Sequence, residues 1–221
     1  MTTRSYRQYC AVAHALDLVG ERWGLLVVRE LVLGPKRFTD LANGLPGIGT
    51  NILSARLKQL ERGGVVRRRA LPPPAASTVY ELTEYGRELE EVLFALGRWG
   101  AKSMGPRDPE EALDPEWLAV ALKALFRPGA HMERTTFEFR LGGTAFHAVL
   151  DGETIDVRTA AASSADVLLE CDPDALVALL SGVLPPRYAV ATGLIQIEGD
   201  VAHLERLVEA VSSGEPEAAR G

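Results

Sequence analysis

Residues 45–69, Leu-Pro-Gly-Ile-Gly-Thr-Asn-Ile-Leu-Ser-Ala-Arg-Leu-Lys-Gln-Leu-Glu-Arg-Gly-Gly-Val-Val-Arg-Arg-Arg, constrain this chain more than any other stretch. They read as a short turn, a capped helix with a polar outer face, a glycine stop and a strand ending in three arginines. A helix-turn-helix followed by a basic wing has this order of parts, the helix entering the major groove while the wing straddles phosphates.

At about 100° per residue, Leu53, Leu57 and Leu60 share one face of the helix expected over 50–62. Asn51, Ser54, Ala55, Lys58 and Arg62 fall opposite, a set of short, polar or basic side chains able to approach base edges. Arg56 projects nearer the apolar edge, suiting it to a phosphate or a neighbouring carboxylate rather than a base. Arg67, Arg68 and Arg69 alternate sides of their strand, so at most two face one phosphate row. Lys36 and Arg37 are expected to touch the DNA backbone near the helix before the turn. A solvated helix face carries similar residues, so the pattern alone leaves both readings open.

Charge distribution separates them better than total charge. The net charge of −6 argues against a nucleic-acid partner, yet residues 1–105 hold 15 Lys+Arg against 10 Asp+Glu, a net of +5, while residues 106–221 hold 9 against 20, a net of −11. Only the first half is expected to approach phosphates. With 47% hydrophobic residues in 221, the chain has material for two modest domains. It carries no run of eighteen apolar residues and no apolar core of a secretory signal near residue 1, which points to the cytoplasm and to no membrane partner. Cys10 and Cys171 have no Cys or His at metal-ligand spacing, so neither a metal site nor a disulfide framework is expected, and both read as buried thiols.

Three prolines and no apolar periodicity between Ser103 and Pro115 mark a linker, giving domains at 1–105 and 116–211, a linker at 106–115 and a polar tail at 212–221. In the first domain, helices are expected over 10–19, 23–33, 38–43 (with Thr39 available near its start), 50–62 and from Glu84 through Trp99 behind a Thr83 cap. A hairpin wing is expected from 65–70 and 78–82. The second domain opens with a helix over 115–126. Period-two runs at 135–141 and 144–150 around Gly142-Gly143, strands at 153–159, 167–171 and 195–198, and helices at 174–180 and 203–211 follow. The fold class expected is α+β: a mainly α winged helix-turn-helix with a β-hairpin wing, then an α+β domain with an antiparallel sheet.

The first half resembles the HxlR family of winged helix-turn-helix transcription regulators. The resemblance spans about residues 8–101 and rests on Cys10, Ala15-Leu-Asp-Leu-Val-Gly-Glu-Arg-Trp23, Leu31-Val-Leu-Gly-Pro-Lys-Arg-Phe38, Leu45-Pro-Gly-Ile48, Leu53-Ser-Ala-Arg-Leu57, Gly64-Val-Val66, Tyr80-Glu-Leu-Thr83, Gly86 and Trp99-Gly100. It implies a homodimer, held by the first and last helices of the domain, on a palindromic operator of double-stranded DNA. Some members use a cysteine at the place of Cys10 as a redox switch. Here Ala11 replaces the proline that usually follows, and Arg4 and Arg7 are the nearby cations, so an inert buried thiol and a redox thiol both stand as readings.

From about 117 to 211 the chain is similar to sterol carrier protein type 2-like domains, through Leu168-Leu-Glu-Cys-Asp-Pro-Asp-Ala-Leu-Val-Ala-Leu-Leu-Ser-Gly182 and Gly193-Leu-Ile-Gln-Ile-Glu-Gly-Asp200. Such domains often enclose an apolar tunnel. Trp117, Leu118, Leu122, Phe126, Phe137, Phe139, Phe146 and Leu184 supply the bulk for a closed core or for the lining of a ligand pocket.

His131, His147 and His203 are isolated, capping accounts for Asp172 and Asp174 beside Pro173, and no Ser elbow, P-loop or dinucleotide fingerprint occurs. The expectation is therefore a DNA-binding regulator, a repressor on family grounds, without enzymatic activity or cofactor, open to a hydrophobic small-molecule effector. The alternative is a lipid carrier or cryptic enzyme whose winged helix serves only to dimerise.

Overall fold

A computed structural model describes residues 5–74, 76–127 and 133–211. His131 and the tail at 212–221 lie outside the described residues. The chain divides into two compact units, Met1–Leu93 and Phe94–Gly221, and is α+β.

The first unit runs α1 (Ala11–Val19), α2 (Gly24–Leu31), β1 (Lys36–Arg37), α3 (Phe38–Asn43), α4 (Thr50–Arg62), β2 (Val66–Ala70), β3 (Thr78–Leu82) and α5 (Glu84–Arg87), then the start of α6 (Leu89–Ala101). Its core joins Val27, Val28 and Leu31 of α2, Leu41 of α3, Leu53, Leu57 and Leu60 of α4, and Val66 and Leu82 of the wing, all at most 2% exposed. Fully burying a side chain of this size contributes about 1.5–3 kcal/mol, so the apolar stripe of α4 fixes which face it turns outward. Between α1 and α2 the chain makes a tight elbow in which a Cβ on Gly24 would run into the Val19 carbonyl. Trp23 takes a left-handed φ of 77° there, held by packing against the core.

Several local expectations need correction. Asp40, not Thr39, supplies the capping side chain of α3: from the third helical position its carboxylate accepts the main-chain N–H of Arg37, the residue before the helix, at 3.1 Å. Lys36 and Arg37 form a two-residue strand that adds to the wing in the order β1-β3-β2. The helix expected from Glu84 through Trp99 is two pieces. Thr83 does cap the first, its hydroxyl accepting from Gly86 N at 2.9 Å, but the segment breaks at Glu88 before α6.

The second unit takes in α6 from Phe94, then α7 (Pro115–Leu125), β4 (Thr135–Leu141), β5 (Thr144–Asp151), β6 (Thr154–Arg158), β7 (Val167–Cys171), α8 (Pro173–Leu180), α9 (Pro186–Ala191), β8 (Ile195–Glu198) and α10 (Val201–Val211). Within it, Lys123 lies 5.7 Å over the Phe94 ring and Arg98 donates to the Ala124 carbonyl at 2.7 Å. Asp114 caps α7 by accepting from Glu116 N at 2.8 Å, ahead of a proline at the first turn. Gly142 and Gly143, with φ of 55° and 91°, supply the two left-handed positions that the tight β4–β5 turn requires. The sheet order is β6-β5-β4-β7-β8, antiparallel except for β4 with β7, which run parallel. That pairing joins strands thirty residues apart, beyond the reach of a local pattern.

Helix α9 is not among the expected elements; Pro185 caps it and Pro186 opens its first turn. Asp172 makes no side-chain cap bond, and Asp174 is held instead by Arg107, whose guanidinium grips its carboxylate at 2.8 and 2.6 Å. Arg107 also donates to the Glu111 carbonyl at 2.7 Å, so the proline-rich segment is fastened to α8.

Candidate nucleic-acid interface

Helix α4 is positioned by its leucines, and the residues opposite them face outward. Asn51, Lys58 and Arg62 are exposed, while Ser54 and Ala55 are half-exposed. Ile52, 46% exposed, shares this side and was not singled out in the sequence. Its signal was visible in principle: an apolar residue out of step with the leucine stripe, of the kind that meets a thymine methyl.

Arg56 takes the carboxylate of the two partners the sequence allowed it. Its guanidinium bonds the Gln59 side chain and pairs with Glu21 at 3.3 Å, with the side chain 18% exposed. Gln59 in turn donates to the Asp17 carbonyl at 3.1 Å and the Leu18 carbonyl at 3.5 Å. Both carbonyls lie in the last turn of α1, where backbone acceptors lack intrahelical partners, so Gln59 pins α1 to α4. Gln59→Ala should lower stability by about 1–2 kcal/mol, read as a shift of the urea midpoint, because it strips a partly buried carbonyl of its donor. A midpoint unchanged within error would show that water replaces Gln59 there.

Lys36 is drawn inward rather than displayed. Its Nζ lies 2.7 Å from Glu30 Oε2, and Arg29 holds the other oxygen at 2.7 Å, with the Glu30 side chain 1% exposed. Arg29 also reaches the Gly44 carbonyl at 3.3 Å, and a Cβ on Gly44 would collide with the Glu30 carboxylate. This ionic cluster therefore spans α2, β1 and the turn after α3. Arg37, by contrast, is exposed.

Wing register pairs Arg67 with Glu81, Arg68 with Tyr80 and Arg69 with Val79. Arg67 and Arg69 share one face, where they donate through Nε to Glu81 at 2.8 and 3.0 Å. Arg68 takes the other face, 5.7 Å over the Tyr80 ring. Burial pushes the Glu81 carboxyl up, but the bonds and charges of Arg67 and Arg69 outweigh it and hold the group below its ordinary value. The sequence reading missed Glu81, a lone acid in a strand whose burial depends on the partner strand.

Neither cysteine matches the buried reading in full. Cys10 is exposed at the start of α1, and its thiol is lowered from the ordinary value by the backbone amides of Ala13 and Val12, while Arg4 lies outside the described residues. Cys171 is half-buried, and burial with the charge of Asp172 pushes it up to about 11. In the second unit Phe137, Phe139 and Phe146 are buried and stacked, at centroid spacings of 6.3 Å (Phe137 to Phe139) and 4.6 Å (Phe139 to Phe146). Leu118 and Leu122 are buried with them, while Trp117, Phe126 and Leu184 remain half-buried. His147 contacts the Ala160 carbonyl through Nδ1 at 2.7 Å, and His203 lies on α10. Among the described residues, no group of three or more His, Cys, Asp or Glu is placed to hold a metal ion. No described helix is long and apolar enough to cross a membrane.

Comparison with known proteins matches the two halves of the chain to different families. The model of the HxlR-like helix-turn-helix family matches residues 18–108, and that of the SCP-2 sterol transfer family matches residues 122–212. An uncharacterised HTH-type transcriptional regulator of Synechocystis sp. is 39% identical over 42% of this chain and 68% of its own length. The HTH-type transcriptional regulator YodB of Bacillus subtilis is 36% identical over 42% of this chain and 84% of its own. The solved reduced form of YodB is 34% identical, covers 46% of this chain and 100% of that one, and superposes with a TM-score of 0.40. With an outward polar helix, an arginine wing and relatives matched over most of their length, this chain belongs to the HxlR-like helix-turn-helix family and carries behind that domain a second one of the SCP-2 sterol transfer type.

Proposed function

We propose that this protein is a DNA-binding transcriptional regulator, a repressor that sits as a homodimer on a palindromic operator and is released by a hydrophobic small molecule in its second domain. The observation that carries the reading is the outward face of α4. Asn51, Ser54, Ala55, Lys58 and Arg62 stand opposite a fully buried leucine stripe, in a domain whose family relatives are named as transcriptional regulators. Arg37 and the wing arginines serve as phosphate contacts, while Lys36 and Arg56, committed to Glu30 and Glu21, contribute little beyond local charge.

Support for the dimer comes from apolar side chains left in solvent. Helix α1 exposes Val12 at 68% and Leu16 at 42%, and α6 exposes Val92, Leu96 and Trp99 at 54%, 45% and 70%, at helical spacing. Stripes of this kind are the usual mark of an association surface. An effector would act by preferring one of two dimer shapes that space the recognition helices differently.

Binding of the full chain to duplex DNA across a salt series tests the reading. Affinity should fall steeply with salt, and Arg68→Ala should make the log–log slope shallower by about 0.9, one phosphate contact. A chain that ignores duplex DNA at low salt, or a slope that Arg68→Ala leaves unchanged, would count respectively against the function and against that contact.

A further inference from the structure

A phosphate-binding wing has no direct electrostatic use for a carboxylate, yet this one holds Glu81 at 6% exposure between two of its arginines. Oε1 accepts the Nε–H of Arg67 and Oε2 accepts the Nε–H of Arg69. Each guanidinium is gripped by its inner nitrogen, which leaves the terminal Nη groups outside the contact, and the two side chains stay 61% and 46% exposed. Arg68, on the other face over Tyr80, takes no part.

We propose that Glu81 is the positioning residue of the wing, a buried carboxylate that fixes Arg67 and Arg69 as a pair of guanidinium groups, Nη donors free, for DNA phosphate oxygens. This rests on the DNA-binding reading above. An unrestrained arginine loses much side-chain freedom when it grips a phosphate, and a pair already ordered loses less. The planar guanidinium suits this division of labour, since it can bond a carboxylate along one edge and a phosphate along another. Against the gain stands one negative charge beside a polyanion. Pre-ordering and repulsion therefore make opposite forecasts for the same substitution.

Glu81→Gln keeps the shape and raises the net charge by one, but it puts an NH2 donor where one of the two carboxylate oxygens now accepts, so one of the two arginines loses its acceptor in place. Binding of the full chain to a random-sequence duplex at low salt should weaken about fivefold in Glu81→Gln, with no steeper salt slope, despite the added positive charge. In an Arg67→Ala/Arg69→Ala background the same change should instead strengthen binding, since only repulsion is left to remove. Glu81→Gln that binds as well as the native chain or better overturns the proposal while leaving the DNA-binding reading intact. A native chain that does not bind the duplex overturns that reading and the proposal with it. Nitrogen-15 spectra of the native protein without DNA give a readout free of any variant: the Nε–H protons of Arg67 and Arg69 should exchange more slowly than that of Arg68. Equally fast exchange of all three would overturn the pre-ordering.

Discussion

Replacing Phe139 by Ala is expected to destabilise the second unit by about 3–5 kcal/mol. Phe139 is 0% exposed and sits between two other buried rings, Phe137 on its own strand and Phe146 directly across the β4–β5 pair. Truncation removes the transfer free energy of a whole ring and opens a void that strands hydrogen-bonded on both sides cannot collapse to fill. The cost reads out as lost hydrogen-exchange protection of β4 and β5 amides, by about two orders of magnitude or more. The same measurement separates a closed core from a ligand pocket. A ring that lines an already hollow tunnel has partner atoms on one side only, so its removal forfeits fewer contacts. A loss of about 1 kcal/mol or less would assign Phe139 to a cavity wall; the full loss assigns the three phenylalanines to the core and moves any ligand contact to the half-buried Trp117, Phe126 and Leu184.

What could be read from the sequence and what could not divide along a physical line. Local signals carried well: the leucine spacing and glycine stop place α4 at Thr50–Arg62, and Gly142-Gly143 between alternating runs places the β4–β5 hairpin. Pairings between distant segments did not carry. Lys36 and Arg37 become a strand only because β3 offers them an edge, and β7 lies parallel to β4 through a register that no local pattern encodes. In the candidate interface, the outward placement of Asn51, Lys58 and Arg62 followed from helical geometry alone. The ionic state of its cations did not, because Arg56 meets Glu21 thirty-five residues away in sequence and Arg67 meets Glu81 fourteen away. A count of basic residues thus overstated the free positive charge facing DNA: of the eleven positions singled out there, Lys36, Arg56, Arg67 and Arg69 each have a carboxylate within 3.3 Å.

Lys58→Ala and Asn51→Ala, taken singly, should each relax sequence preference by about 1–3 kcal/mol, roughly fivefold to a hundredfold in the ratio of preferred to random DNA, whereas Arg67→Ala should weaken both alike. Lys58 and Asn51 are exposed on α4, seven residues apart and so on the same side of the helix. Paired hydrogen bonds, donated by the Lys58 ammonium or donated and accepted by the Asn51 amide, distinguish one base pair from its neighbours, and losing them leaves the phosphate contacts untouched. Arg67 sits on a strand, tied by Nε to Glu81, and offers DNA only its terminal nitrogens, which match a phosphate of any sequence. Selection of bound sequences from random duplexes, first with the native chain and then with each variant, measures the ratio directly. Equal losses on preferred and random DNA for Lys58→Ala and Asn51→Ala would strip both of a reading role. The exposed Ile52 beside them, with its fit to a thymine methyl, would then be the next residue to truncate.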